Sequence, residues 1–139
     1  CLINYNQTNL HFLETLNKQS ACQDCYALPT EAQWEYAATR GPSGKRRYPW
    51  GSSALTCDDA VYGRLTLAGI AGFCEDSGTG PRPLATVGDK DASVDGVLGL
   101  AGGVSEWTLD SYRPYTDKCW SDTPVVDPRC IRADTKRSV

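Results

Sequence analysis

The sequence predicts one mixed domain with little regular secondary structure. Two short helices come first, then a long ordered loop region, then a late strand. Three observations carry that expectation. Residues 28–38 hold a strongly specified helix start. Residues 52–96 are dense in Gly, Pro, Asp and Ser and largely lack helical or strand periodicity. That run is too long for an ordinary connection, yet it contains Cys57, Tyr62, Phe73 and Cys74, which argue for an ordered, cross-linked loop region. Finally, Trp107, Leu109 and Ser111 alternate through residues 106–112, as in a half-buried strand. A chain of 139 residues is long enough for a single core.

Taken in order, residues 1–5 are too few to assign, although Leu2-Ile3-Asn4-Tyr5 suits a strand end. From about Gln7 to Gln19 the pattern is helical, with Leu10/Leu13 and Phe12/Leu16 at i, i+3 and i, i+4. Asn6-Gln7-Thr8 is a glycosylation sequon, a triplet that also arises by chance. His11, the one histidine, is expected at the edge of helix packing and not in catalysis. Residues 20–27 connect to a second helix, about Thr30 to Arg40. Thr30 is its expected N-cap, Gln33 completes a capping box, and Glu31 complements the helix dipole. Trp34, Ala37 and Ala38 make one apolar face, and Gly41 and Pro42 end the helix. Tyr48-Pro49-Trp50-Gly51 reads as a rigid turn with a buried Trp. Residues 113–139 are polar, with prolines and two cysteines, and their pattern specifies no element.

Composition narrows the function classes. A hydrophobic fraction of 40% against 22% charged residues is that of a globular protein, not a disordered one. Net charge −3 gives no electrostatic case for nucleic acid, and the short basic run Lys45-Arg46-Arg47 reads as a solvated loop. No apolar run approaches the ~20 residues needed to span a membrane. Seven cysteines with a single histidine favour disulfides over zinc, because Cys22-x-x-Cys25 has no second close pair. Disulfides in turn imply an extracytoplasmic setting: secreted, cell envelope or secretory-pathway lumen. Cys57 with Cys74, and Cys119 with Cys130, are the favoured sequence-local pairings. Sequence leaves connectivity open, and the odd count leaves one thiol over or bonded elsewhere. Cys22-x-x-Cys25 is also a redox candidate, although no thioredoxin-type strand-to-helix context surrounds it.

The run Leu28-Pro29-Thr30-Glu31-Ala32-Gln33-Trp34-Glu35-Tyr36-Ala37-Ala38 resembles the Leu-Pro-Thr-Glu-Ala-Glu-Trp-Glu-Tyr-Ala-Ala-Arg signature of the formylglycine-generating enzyme (sulfatase-modifying factor) family. Two further stretches match that family in the same order: Tyr48-Pro49-Trp50-Gly51, and Gly102-Gly103-Val104-Ser105-Glu106-Trp107-Thr108 where the family has Gly-Asn-Val-Trp-Glu-Trp-Thr. The resemblance covers roughly residues 7–112 and implies an α+β, C-type-lectin-like fold with long ordered loops. It also implies that residues 1–139 are a single, partial domain of that kind.

The resemblance makes the Gly99–Glu106 loop a candidate calcium site. The carbonyls of Gly102 and Val104 and the Glu106 carboxylate are its oxygen donors. Gly99 and Gly103 stand where the family has oxygen-bearing side chains, which weakens the site. Val61 stands where a second family calcium site has Asn, so that site is expected to be absent. Without calcium, Glu106 is expected to be a buried carboxylate accepting loop N–H groups. The family's oxidases use a cysteine pair five positions apart, which binds copper. Nothing here matches that segment, so copper is not expected in this chain. The expectation is therefore a non-catalytic binding or structural module for a protein, peptide or carbohydrate ligand. Tyr48, Trp50, Tyr112 and Trp120 are its surface candidates, with Trp107 and Tyr115 as further aromatics. The alternative is a fragment of an oxidase whose catalytic cysteines lie outside this chain. Missing family strands would also create a need for disulfides, self-association or a partner chain.

Overall fold

The two helices form where capping and periodicity place them. In the computed structural model, residues 8–22, 25–40, 44–54, 56–63, 74, 80–81, 83, 88–122 and 126–132 are described. Helix α1 spans Thr8–Gln19 and helix α2 spans Glu31–Thr39. The Ser20 N–H continues α1 by one bond to the Leu16 carbonyl, after which Ala21 turns into the left-handed region at φ 50°. Leu13 and Leu16 are half-buried, but Phe12 is 66% exposed and does not pack as the expected partner of Leu16. On α2, Ala38 is buried and Trp34 and Ala37 half-buried, while Glu35 and Tyr36 face solvent.

The chain resolves into two compact units. One comprises Cys1–Trp34 and Glu106–Val139, the other Glu35–Ser105. In the first, the expected strand from Glu106 to Tyr112 is not a strand. Among the described residues, none longer than a single bridge residue forms. The segment bends at Leu109 and Asp110 and is tied by alternate N–H groups, Leu109 to the Pro29 carbonyl (2.8 Å) and Ser111 to the Cys130 carbonyl (2.7 Å). Its burial matches the expected alternation at Ser111 but not before it. Thr108, Asp110 and Ser111 are buried, whereas Trp107 and Leu109 are only half-buried. The buried polar groups take up backbone N–H groups that a ladder would otherwise satisfy. A short helix α3, Lys118–Ser121, starts at Asp117, whose carboxylate accepts from the Cys119 N–H (2.8 Å). Cys119 is bonded to Cys130, and both are buried.

In the second unit, Cys57 is bonded to Cys74 beside buried Ala60 and Val61. Tyr48 and Gly51 form an antiparallel bridge through reciprocal bonds of 2.9 and 3.0 Å, with Gly51 at φ 137°. A 3-10 turn at Gly88–Asp91 leads into a tight loop where the Ser93 N–H bonds the Val97 carbonyl and the Ser93 hydroxyl accepts from the Val97 N–H. The sequon at Asn6, the helix stop at Gly41 and Pro42, Phe73 and Cys1 lie outside the described residues, as does the His11 side chain.

Candidate functional site

The first turn of α2 is tied by side chains distant in sequence. The capping box is reciprocal: the Gln33 N–H bonds Thr30 Oγ1 (3.1 Å), and the Thr30 N–H bonds Gln33 Oε1 (3.0 Å). Two carboxylates then converge on this turn from distant sequence. Asp127 accepts from the Thr30 hydroxyl (3.2 Å) and from Gln33 Nε2 (3.1 Å). Asp110, with no exposed surface, accepts from the Glu31 N–H through Oδ2 and from the Cys130 N–H through Oδ1, each at 2.6 Å. Negative charge at the positive end of a helix is favourable, and charge-assisted bonds of this length are strong.

Further groups gather on the same turn. The Tyr115 hydroxyl donates to Glu31, and the Tyr115 ring packs against Trp120 with centroids 5.6 Å apart. Trp34 Nε1 donates to the Glu106 carboxylate over 2.5 Å. Glu106 is exposed and not buried as expected: its partner is a half-buried indole, not a loop backbone. The sequence reading missed Asp110 and Asp127. Asp127 had a local signal, since it precedes Pro128 and takes φ 53°, a turn conformation that Asp tolerates. Asp110 had none beyond being a charge inside an apolar alternation.

The other candidate residues lie in the second unit. Tyr48 and Trp50 stack at 5.1 Å with an interplanar angle of 10°, both half-buried. Thus Tyr48 and Trp50 belong to one unit and Tyr112 and Trp120 to the other. Of the four, Tyr112 is exposed, at 63%, and Trp120 is half-buried, with its Nε1 donating to the Arg113 carbonyl (3.3 Å). Gly102 sits at φ +146°, where an added Cβ would meet the Val61 carbonyl oxygen at 2.3 Å. The Gly102 carbonyl accepts from the Val104 N–H (3.1 Å), and the Gly103 N–H bonds the Val61 carbonyl (2.7 Å). The Gly99 N–H bonds buried Asp91 (2.9 Å). Nearby, the Thr56 hydroxyl and N–H hold the Asp59 carboxyl below its ordinary value, with Lys90 adding to the effect. Partial burial pushes the Tyr62 phenol up, helped by Asp59 and Tyr48.

The described cysteines all sit in disulfides: Cys22–Cys25, Cys57–Cys74 and Cys119–Cys130. Among the described residues, no group of three or more His, Cys, Asp or Glu side chains gathers as a metal site, and no helix is long and apolar enough to cross a membrane.

Comparison with known proteins adds a family. The Sulfatase-modifying factor enzyme 1-like domain matches residues 4–134. A formylglycine-generating enzyme of Streptomyces coelicolor is 36% identical over 106 residues, covering 73% of this chain and 30% of that protein. A hercynine oxygenase of Mycobacterium tuberculosis is 34% identical over 90 residues, 63% of this chain and 18% of that protein. A formylglycine-generating enzyme of the same organism is 34% identical over 92 residues, 63% of this chain and 28% of that protein. The chain thus spans less than a third of the length of these curated relatives. No solved structure matches it.

Proposed function

The chain belongs to the family of the Sulfatase-modifying factor enzyme 1-like domain, and from that premise we propose that it is a non-catalytic, extracytoplasmic binding module with the α+β, C-type-lectin-like fold of that family. One observation carries the reading: all six described cysteines are engaged in disulfides, which leaves no thiolate among them for copper-dependent oxidation. The disulfides also support an oxidising location. The ligand is a protein, peptide or carbohydrate, met by exposed aromatics on a tied scaffold, with Tyr112 and Tyr115 in the lead. The test is the intact mass of the native protein after alkylation of free thiols. Outside positions 22 and 25, this reading expects at most one alkylated cysteine. Two or more alkylated cysteines, beyond those at positions 22 and 25, would overturn it.

A second reading is favoured by the relatives, whose names are those of a formylglycine-generating enzyme and an oxygenase. On that reading the chain is part of an oxidase whose catalytic cysteine pair lies elsewhere in the protein. Copper-dependent oxygen uptake on a cysteine peptide separates the two.

Calcium is proposed at Gly102, Val104 and Glu106 only as a weak ligand. Their oxygens are of the hard type calcium takes, but Gly99 adds none from a side chain, and the Glu106 carboxylate already serves the Trp34 indole. Millimolar calcium should shift the melting temperature by no more than about 2 °C, since a site near half-saturation adds only a few tenths of a kcal/mol. A rise of many degrees would show a complete site.

A further inference from the structure

We propose that Cys22–Cys25 is a reversible thiol–disulfide exchange site, a surface dithiol/disulfide couple that takes electrons from a dithiol or from two molecules of a small thiol. The inference rests on how differently the three disulfides are held. Cys57–Cys74 and Cys119–Cys130 each include a buried cysteine, Cys74 in the first and both members in the second. In Cys22–Cys25 neither member is buried: Cys25 is exposed and Cys22 half-buried. An exchanging thiolate must reach a sulfur in line with the bond, so access separates this pair from the others.

The loop that carries the pair is closed without it. The Asn17 side chain bonds Tyr26 twice, Nδ2 donating to the Tyr26 carbonyl (3.0 Å) and Oδ1 accepting from the Tyr26 N–H (2.8 Å). The Cys22 N–H bonds the Asn17 carbonyl (3.2 Å) and the Ala21 N–H bonds the Lys18 carbonyl (3.3 Å). One residue in the last turn of α1 therefore pins both ends of the cysteine loop. When the bond opens, the two sulfurs stay neighbours, with Cα atoms 5.7 Å apart in the bonded form, and can close again. The sequence separation is 3, against 17 and 11 for the other two. By loop-closure scaling, opening the 17-residue link releases the unfolded chain by roughly ten-fold more, in equilibrium terms, than opening the three-residue link. The pair can cycle while the fold stays put.

The step balances in two exchanges. A thiolate of the reductant attacks the Cys25 sulfur; the Cys22–Cys25 bond breaks, and the Cys22 thiolate leaves and takes up a proton. The second thiol of the reductant then attacks the mixed disulfide, releasing Cys25 as a thiol. Two electrons pass to the pair, and the reductant leaves as its disulfide.

The test uses the whole native protein in glutathione buffers of graded reduced-to-oxidised ratio, with thiols trapped by alkylation and assigned by peptide mass. The pair at 22 and 25 should reduce at a lower ratio of reduced to oxidised glutathione than either other disulfide, with far-ultraviolet circular dichroism unchanged. In fully oxidised glutathione, Cys22→Ser should capture glutathione on Cys25, and Cys25→Ser should capture less on Cys22. Asn17→Ala should slow reclosure without affecting the other two bonds. Reduction of all three pairs in one step, or loss of the circular dichroism signal as Cys22–Cys25 opens, would overturn the proposal. Equal capture by the two serine variants would overturn the assignment of Cys25 as the attacked sulfur.

Discussion

A carboxylate with no exposed surface is costly unless the lone pairs it turns inward meet donors. Asp110 meets this condition with two backbone N–H groups, those of Glu31 and Cys130, so one side chain joins the start of α2 to the disulfide at Cys130. Asp110→Ala would strand both donors, and urea unfolding should show a loss of roughly 3 kcal/mol. A change below about 0.5 kcal/mol, the size expected of an ordinary surface substitution, would mean the contact is incidental. Asp59 offers a pH prediction. Its folded pKa lies below the ordinary value of 3.8 because Thr56 donates to the charged form. The folded state thus binds this proton less tightly than the unfolded chain. The stabilisation is present above the ordinary carboxylate range and is lost as pH falls through the lowered value. A nuclear magnetic resonance titration of the Asp59 carboxyl should show the depressed midpoint, and Thr56→Val should bring it back toward 3.8.

At the scale of elements, α2 was legible because its signals are local. Thr30, Glu31 and Gln33 lie within four residues, and the cap they specify forms as written. The turn at Tyr48–Gly51 was legible for the same reason. The segment after Glu106 was misread as a strand. Alternation reports which side chains are apolar, and here burial went to Thr108 and Asp110 instead of Trp107 and Leu109, with Asp110 accepting from backbone donors. The latch of Asp127 on Thr30 spans 97 residues, and no local pattern encodes such a contact. Helix α3 is too short for periodicity to show; its one signal is the cap at Asp117. The link from α3 to Cys130 closes 11 residues, and chain-entropy scaling assigns it about 3 kcal/mol. The Cys119→Ser/Cys130→Ser double variant should lose about that much in urea unfolding. An unchanged unfolding midpoint would show that the Asp110 and Ser111 bonds hold this region without the disulfide.

For the whole molecule, the chain's relatives include proteins named as a formylglycine-generating enzyme and an oxygenase, while its described cysteines are tied in disulfides. Membership in a fold family fixes a scaffold, and activity depends on the groups that scaffold carries. The most direct measurement is oxygen uptake by the native protein, loaded with copper and given a cysteine-containing peptide. The binding-module account predicts uptake no faster than copper and peptide alone, with the peptide cysteine unchanged by mass. Sustained uptake that converts the peptide cysteine to an aldehyde would contradict it and establish an oxidase.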